Sequence, residues 1–316
     1  MADENEFLVQ TYLFFKDFLL KGVIAVAVLL TATFIAKRSS KKDHKRPLDE
    51  TNFCSSPNCL RCSKMFKPST GIVSEKLVEF SSTRADNSGL ERLYKGMRCK
   101  ESLESDSDHL SGQRPTVLFV SGVSSRVWYN QHDFKYGLRS LSLPRNYELI
   151  KSEFEEINEN LAQGWLRNTT PEGEWLVFHL FNQGEKVLEN CACCPNTVGI
   201  IESIGPFIKG CAFGNALFSV LKPGTHITPH YGPTNCRIRC HLPLFVPEGC
   251  FLCVNEEKRQ WNEKELLLFD DSFLHEAKHT GLKGERIILM LDLWQPQLSL
   301  IEKEALCFIF PSFSRL

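Results

Sequence analysis

The sequence predicts a mainly β domain, a sandwich or barrel, carried behind one membrane-spanning helix and a polar stalk. From Thr116 onward the chain is built of short apolar or alternating runs, TVLFV, WLVFHLF, ALFSVL, CRIRCHLPLFV, CFLCV, LLLFD and RIILMLDLW, divided by Gly, Pro and Asn. Runs of that length with turn residues between them read as strands of an all-β fold. Far upstream, Phe18 to Ala36 reads FLLKGVIAVAVLLTATFIA, close to the roughly 20 apolar residues that cross a hydrocarbon core. The stretch between the two is polar and sustains neither the period of a helix nor that of a strand.

Residues 1–17 form a short tail, MADENEFLVQTYLFFKD, acidic and aromatic where a secretory leader would be basic. The apolar run at 18–36 therefore reads as a retained anchor, and Lys21 lies close enough to its end for the ammonium to reach the interface. Such an anchor predicts a single-pass protein of the endomembranes, with the endoplasmic reticulum as the expected compartment. Two signals oppose each other on orientation. Lys37, Arg38, Lys41, Lys42, Lys45 and Arg46 follow the span and favour a cytosolic domain, whereas the sequon Asn168-Thr169-Thr170 is usable only in the lumen. The charge asymmetry is the stronger physical argument.

Residues 37–114 are rich in Ser, Lys, Asp and Glu and read as a flexible stalk. Within it Cys54, Cys59 and Cys62 stand at a spacing that suits Zn(II), with Cys99 or His44 as a fourth ligand, or an iron–sulfur cluster with a distant fourth cysteine. A disulfide or palmitoylation is the plainer reading of the same thiols. Residues 115–298 hold the β domain, with one helical insert expected over Tyr147 to Ala162, where Leu149, Phe154, Ile157 and Leu161 share a face. The remaining 299–316 is a C-terminal extension whose Phe308, Phe310 and Phe313 would cover an apolar patch of the core. Lys and Arg number 37 against 38 Asp and Glu, so the chain has no field for polyanions and no nucleic-acid partner is expected. Thirteen cysteines in 316 residues fall well short of a disulfide-stapled scaffold.

Polar residues concentrate in KPGTHITPHYGPTNCRIRCH, residues 222–241, followed by FDDSFLHE at 269–276 and by Arg286. A histidine at one strand end, a second a strand-pair later and an arginine beyond it suit a non-haem Fe(II) site, in which imidazoles hold the metal and a guanidinium anchors a carboxylate. Each histidine alone reads as structural.

From Val127 to Pro296 these residues resemble the aspartyl/asparaginyl β-hydroxylase family of 2-oxoglutarate dioxygenases, most densely in KPGTHITPHYGPTNCRIRCHLPL, FDDSFLHEA and RIILMLDLWQP. The resemblance implies a double-stranded β-helix of the jelly-roll or cupin type. It implies Fe(II) held by His230 and His275, with 2-oxoglutarate as co-substrate, and hydroxylation of a protein side chain at the β-carbon of Asp or Asn. It implies Arg286 with Ser219 at the far carboxylate of 2-oxoglutarate, and Arg239 with His241 at the carboxylate nearest the metal. Position 232, where the commoner triad has a carboxylate, is glycine, as in this family. Asp270 and Asp271 precede His275, and Asp271 is the expected helper of a metal-bound water, being on the face of Phe273 and His275 if the segment is extended. Arg237, Arg239 and His241 alternate onto one strand face, although Arg237 also reads as an exposed ion pair. His226 reads as a packed or hydrogen-bonded residue, and His179, in the alternating run WLVFHLF, as an outward polar residue or a wall of the substrate cleft. The resembled enzymes carry a disulfide in a loop where this chain has Cys191, Cys193 and Cys194 at a different spacing. The competing functional readings are a binding module that has lost turnover and a halogenase exploiting Gly232.

Overall fold

The computed structural model describes residues 70–98, 112–124, 126–134, 137–159, 164–168 and 170–312. The predicted span at 18–36 and the cysteines at 54, 59 and 62 lie outside these residues. Among the described residues no helix is long and apolar enough to cross a membrane.

The helices are α1 (Thr70–Ser82), α2 (Glu91–Arg98), α3 (Pro144–Glu159), α4 (Leu188–Cys193), α5 (Pro195–Glu202) and α6 (Leu300–Ile309). The strands before the jelly roll are β1 (Trp128–Tyr129), β2 (Trp165–Asn168), β3 (Trp175–Asn182) and β4 (Glu185–Lys186). Those that build it are β5 (Ala216–Leu221), β6 (His226–His230), β7 (Arg237–Phe245), β8 (Cys250–Val254), β9 (Glu257–Arg259), β10 (Leu267–Phe269), β11 (His275–His279) and β12 (Arg286–Trp294). One antiparallel sheet runs β1-β10-β7-β12-β5-β3-β2 with β4 on β3, and the other runs β6-β11-β8-β9. From β5 to β12 the chain passes repeatedly from one sheet to the other, which is jelly-roll topology. The expectation of a mainly β sandwich holds.

Strand alternation decides what faces inward. On the large sheet Phe218, Val220, Ile238, Cys240, Leu242, Leu289 and Leu291 pack in one cluster with Tyr147, Ile150, Phe154 and Ile157 of α3 and Ile201 of α5. The opposite face of the same strands puts Leu217, Leu221, Ile288 and Met290 against Leu252, Val254 and Ala277 of the small sheet. With both faces covered, every residue of β12 is buried, and after Arg286 its sequence reads as an apolar run broken only by Asp292. The helical insert is present, but its buried stripe is Tyr147, Ile150, Phe154 and Ile157. Leu149, expected on that face, is only partly buried.

The stalk reading needs correction over 70–98. Val73, Leu77 and Phe80 of α1, at helical spacing, pack with Leu90 and Leu93 against Leu118, Val120, Phe213, Ala305, Leu306 and Phe310. A stripe of so few residues is too short to hold a helix by itself, and docking supplies the stability. Arg92 donates to both carboxylate oxygens of buried Glu302, at 2.9 and 2.6 Å. Glu302 in turn closes a capping box with Ser299 at the start of α6. Residues 299–312 are thus an integral layer of the domain. Phe310 is buried as expected, whereas Phe308 is 40% exposed. All cysteines among the described residues are free thiols, those at 191, 193 and 194 included.

Because Leu77 is fully buried, Leu77→Ala is expected to destabilise the domain by roughly 2–5 kcal/mol in denaturant unfolding. A residue in a flexible stalk would change stability by less than about 0.5 kcal/mol.

Candidate active site

Pairing of β6 with β11 sets His275 directly opposite His230, with ring centroids 4.1 Å apart. Each ring is aimed by its own backbone. His230 Nδ1 lies 2.8 Å from the Thr228 carbonyl and His275 Nδ1 lies 2.9 Å from the Phe273 carbonyl. A carbonyl only accepts, so both Nδ1 atoms carry the proton and both Nε2 atoms carry the lone pair, the tautomer that ligates a metal. The pairing also contains a bulge, since between the pairs His275–His230 and Ala277–Ile227 one residue of β11, Glu276, stands against two of β6, Thr228 and Pro229. The bulge turns Ile227 and His230 into the interior cavity, while His226 pairs with Glu276 at 2.8 Å. The structure therefore keeps His226 as a hydrogen-bonded residue.

Beside the imidazoles lies a square of buried charge. Arg237 donates through Nε and Nη2 to Asp271, at 3.2 and 2.6 Å. Its Nη1 donates to Asp292 at 3.1 Å and to the Phe213 carbonyl at 2.8 Å. Arg239 closes the square, with Nε 3.1 Å from Asp292 and Nη1 3.4 Å from Asp271. Asn215 adds a hydrogen bond to Asp292 at 2.8 Å. Burial would raise the Asp271 carboxyl, but Arg237 and Arg239 outweigh it and hold Asp271 below the usual carboxylate range. Arg237 is thus a buried organising residue and not an exposed ion pair.

Asp271 sits in a turn, not in an extended strand, so the alternation argument for its orientation fails. Its carboxyl instead lies against Gly232, where a Cβ would meet Asp271 Cγ at 2.5 Å. The carboxyl group therefore occupies the space that a side chain at 232 would need. Among the described residues no group of three His, Cys, Asp or Glu side chains is placed to hold a metal. What the structure offers is a pair of imidazoles with a carboxylate tied to arginines beside them. Asp270 turns the other way and accepts from Gln113 Nε2 at 2.7 Å and Ser272 N at 2.9 Å. Burial first, then the neighbouring Asp271, push its carboxyl up to about 7 against those hydrogen bonds.

Ser219, His230, Arg239, His241, His275 and Arg286 all line one cavity, with Trp175, Trp261, Phe269 and Met290 among its walls. Arg286 is 1% exposed. Its Nη2 reaches Ser219 Oγ at 3.4 Å, but its Nε and Nη1 have no hydrogen-bond partner among the described residues. Burial lowers this guanidinium to about 9, which leaves it cationic at neutral pH. A buried cation with unsatisfied donors on a cavity wall is a receptor for an anion. Burial, then Arg286, Arg239 and His275, keep His241 well below the ordinary histidine value and hence neutral.

The residues singled out in the sequence thus share one cavity, except Asp271, which stands behind Gly232. Sequence reasoning missed Trp175, which donates to Ser219 Oγ at 3.0 Å, and it missed Trp261 and Asp292. Asp292 had a signal, being a lone carboxylate in the apolar run RIILMLDLW. Trp261, in the polar RQWNEK, had none.

Residues 144–296 match the model of the family described as Aspartyl/Asparaginyl beta-hydroxylase. The human aspartate beta-hydroxylase domain-containing protein 2 is 42% identical over 82% of this chain and 70% of that protein. The mouse domain-containing protein 1 is 33% identical over 76% of this chain and 68% of that protein. Mouse aspartyl/asparaginyl beta-hydroxylase is 35% identical over 59% of this chain and 26% of that protein. Among solved structures, a Pseudomonas putida prolyl-4-hydroxylase is similar at a TM-score of 0.33 and 15% identity, over 48% of this chain and 88% of that one.

The geometry generates two expectations. Gly232→Asp, which would rebuild the carboxylate of the commoner triad, should weaken Mn(II) binding by about tenfold or more, because the new side chain meets the Asp271 carboxylate; tighter binding would contradict the packing described. For Asp270 the folded carboxyl is raised above its unfolded value of 3.8 to about 7, so the folded state holds the extra proton between those values. Stability should fall as pH rises from about 4 to 7, by an amount on the order of 4 kcal/mol. That slope should be absent from denaturation curves of Asp270→Asn.

Proposed function

The chain belongs to the aspartyl/asparaginyl β-hydroxylase family, and on that premise we propose that it is an Fe(II)- and 2-oxoglutarate-dependent dioxygenase, anchored to a membrane by residues 18–36, that hydroxylates a protein side chain at the β-carbon of Asp or Asn. The observation that carries this reading is Arg286, a fully buried guanidinium with two donating nitrogens unpartnered among the described residues, in the same cavity as two imidazoles whose Nε2 atoms carry their lone pairs.

His230 and His275 would hold the metal. With no carboxylate at 232, more coordination positions are left to exogenous ligands and less negative charge offsets the ion. Arg286 and Ser219 would take the far carboxylate of 2-oxoglutarate, and Arg239 with His241 would meet the end near the metal. Fe(II) held there would supply the activation of O2, with 2-oxoglutarate oxidised to succinate and CO2, one oxygen atom kept in succinate and the other inserted into the substrate C–H bond. The chain's own residues bind and orient. Arg239 stays in place because Asp292 and Asp271 hold it, and Asp271 stays ionised beside the metal site because Arg237 neutralises it. Phe269, Met290 and Trp261 line the cavity with apolar surface that limits water.

The test is succinate release by the full chain, given Fe(II) and 2-oxoglutarate without O2 and then exposed to air. Slow succinate formation is expected even without protein substrate. His230→Ala should abolish it, and Arg286→Leu should raise the KM for 2-oxoglutarate by about 100-fold, as loss of a charge-assisted anchor would. Turnover undiminished in His230→Ala would overturn the assignment. Metal-dependent binding without any succinate would instead favour an anchored binding module.

A further inference from the structure

Trp261 lies in the segment between β9 and β10, which has no regular structure, yet its side chain is only 3% exposed and forms part of the cavity wall. It touches two of the cavity's polar groups. The indole Nε1–H donates to His241 Nδ1 at 3.1 Å, and the two rings lie 29° from parallel with centroids 6.0 Å apart. An indole nitrogen can only donate. His241 must therefore keep a lone pair on Nδ1, and the proton of its neutral ring sits on Nε2. The same indole carries Arg286 on its face, the guanidinium carbon 4.9 Å from the ring centroid. That is within cation–π range, and the interaction gains strength where water is excluded. Arg286 forms no ion pair with a carboxylate among the described residues, so Ser219 Oγ and the Trp261 face are what hold it.

We propose that Trp261 is a positioning residue for 2-oxoglutarate: its N–H holds His241 in the tautomer that donates from Nε2, and its ring supports Arg286. This rests on the co-substrate reading given above. The consequence is specific to anions. With Nε2–H as donor, His241 adds a hydrogen bond to a carboxylate without adding charge, whereas the opposite tautomer would present a lone pair to it and repel it. One indole thus prepares two of the groups assigned to the co-substrate before it arrives.

The plain alternative is that Trp261 only fills the core with Leu252, Phe269 and Met290. Two replacements separate the readings. Trp261→Phe removes the N–H and part of the ring, and a benzothiophene side chain at 261 puts sulfur where the N–H was and keeps the ring's size and shape. The full chain, loaded with Mn(II) in the absence of O2, is titrated with 2-oxoglutarate, and histidine 15N resonances are recorded on matched samples loaded with diamagnetic Zn(II).

Both variants should bind 2-oxoglutarate about tenfold more weakly, the scale of one hydrogen bond, with Mn(II) affinity unchanged. The His241 resonances should move from the Nε2–H form toward a mixture of tautomers. Unchanged binding in both variants would overturn the proposal, and so would weakening by Phe with none by benzothiophene, because the ring would then act by bulk alone. Failure of the unaltered Mn(II) protein to bind 2-oxoglutarate would instead sink the co-substrate reading, and the 15N spectra would still report whether Trp261 sets the His241 tautomer.

Discussion

The structure depends on the mutual neutralisation of four charges inside the jelly roll. Arg237 and Arg239 project from β7, Asp292 from β12 and Asp271 from the turn before β11. Desolvating such groups costs several kcal/mol each, and removing one partner would leave its neighbour uncompensated. The square is therefore stable only as a set, with the Phe213 carbonyl and Asn215 filling further hydrogen-bonding sites. Its effect is geometric. It ties the turn that leads into β11 to the middle of the large sheet, and so helps to set where His275 begins its strand opposite His230.

Arg286 is the exception that gives the cavity its character. It is as deeply buried as the square, but its neighbours are a serine hydroxyl and an indole face. Two interior arginines are thoroughly neutralised and the third is left without a carboxylate among the described residues, which suits it to the anion-binding role proposed for it. Gly232 belongs to the same economy of space. The carboxyl of Asp271 takes up the volume a side chain there would fill, so a glycine at this position is a packing requirement as well as the absence of a ligand. In the proposed metal centre Asp271 would contribute negative potential from behind the glycine, while the two imidazoles would be the direct donors.

Much of this was legible because strand alternation is a local rule. The sequence Arg237-Ile238-Arg239-Cys240-His241 has its polar residues on the interior face and its apolar ones under the helices. The rule fails wherever the strand does. A bulge in β6 places His226 outside the cavity that His230 enters, although the two are an even number of residues apart. Alternation gives Asp271 a face only if its segment is a strand, and it lies in a turn. The helices over 70–98 are not legible in the sequence because a short apolar stripe in polar sequence gains its meaning only from the surface it docks on, here α6 and its neighbours. Trp261 was invisible for a related reason: its role lies in what it touches across the fold, not in its neighbours along the chain.

The central claim is a two-imidazole metal centre facing a buried arginine that anchors a dicarboxylate. Its most direct test is a crystal structure of the protein with Mn(II) and 2-oxoglutarate, using anomalous scattering to locate the metal. The account predicts one metal bound by Nε2 of His230 and Nε2 of His275, no ligand from Asp271, and the far carboxylate of 2-oxoglutarate on Nε and Nη1 of Arg286. A metal held elsewhere, or a carboxylate of Asp271 turned away from Arg237 to bind it, would contradict the account.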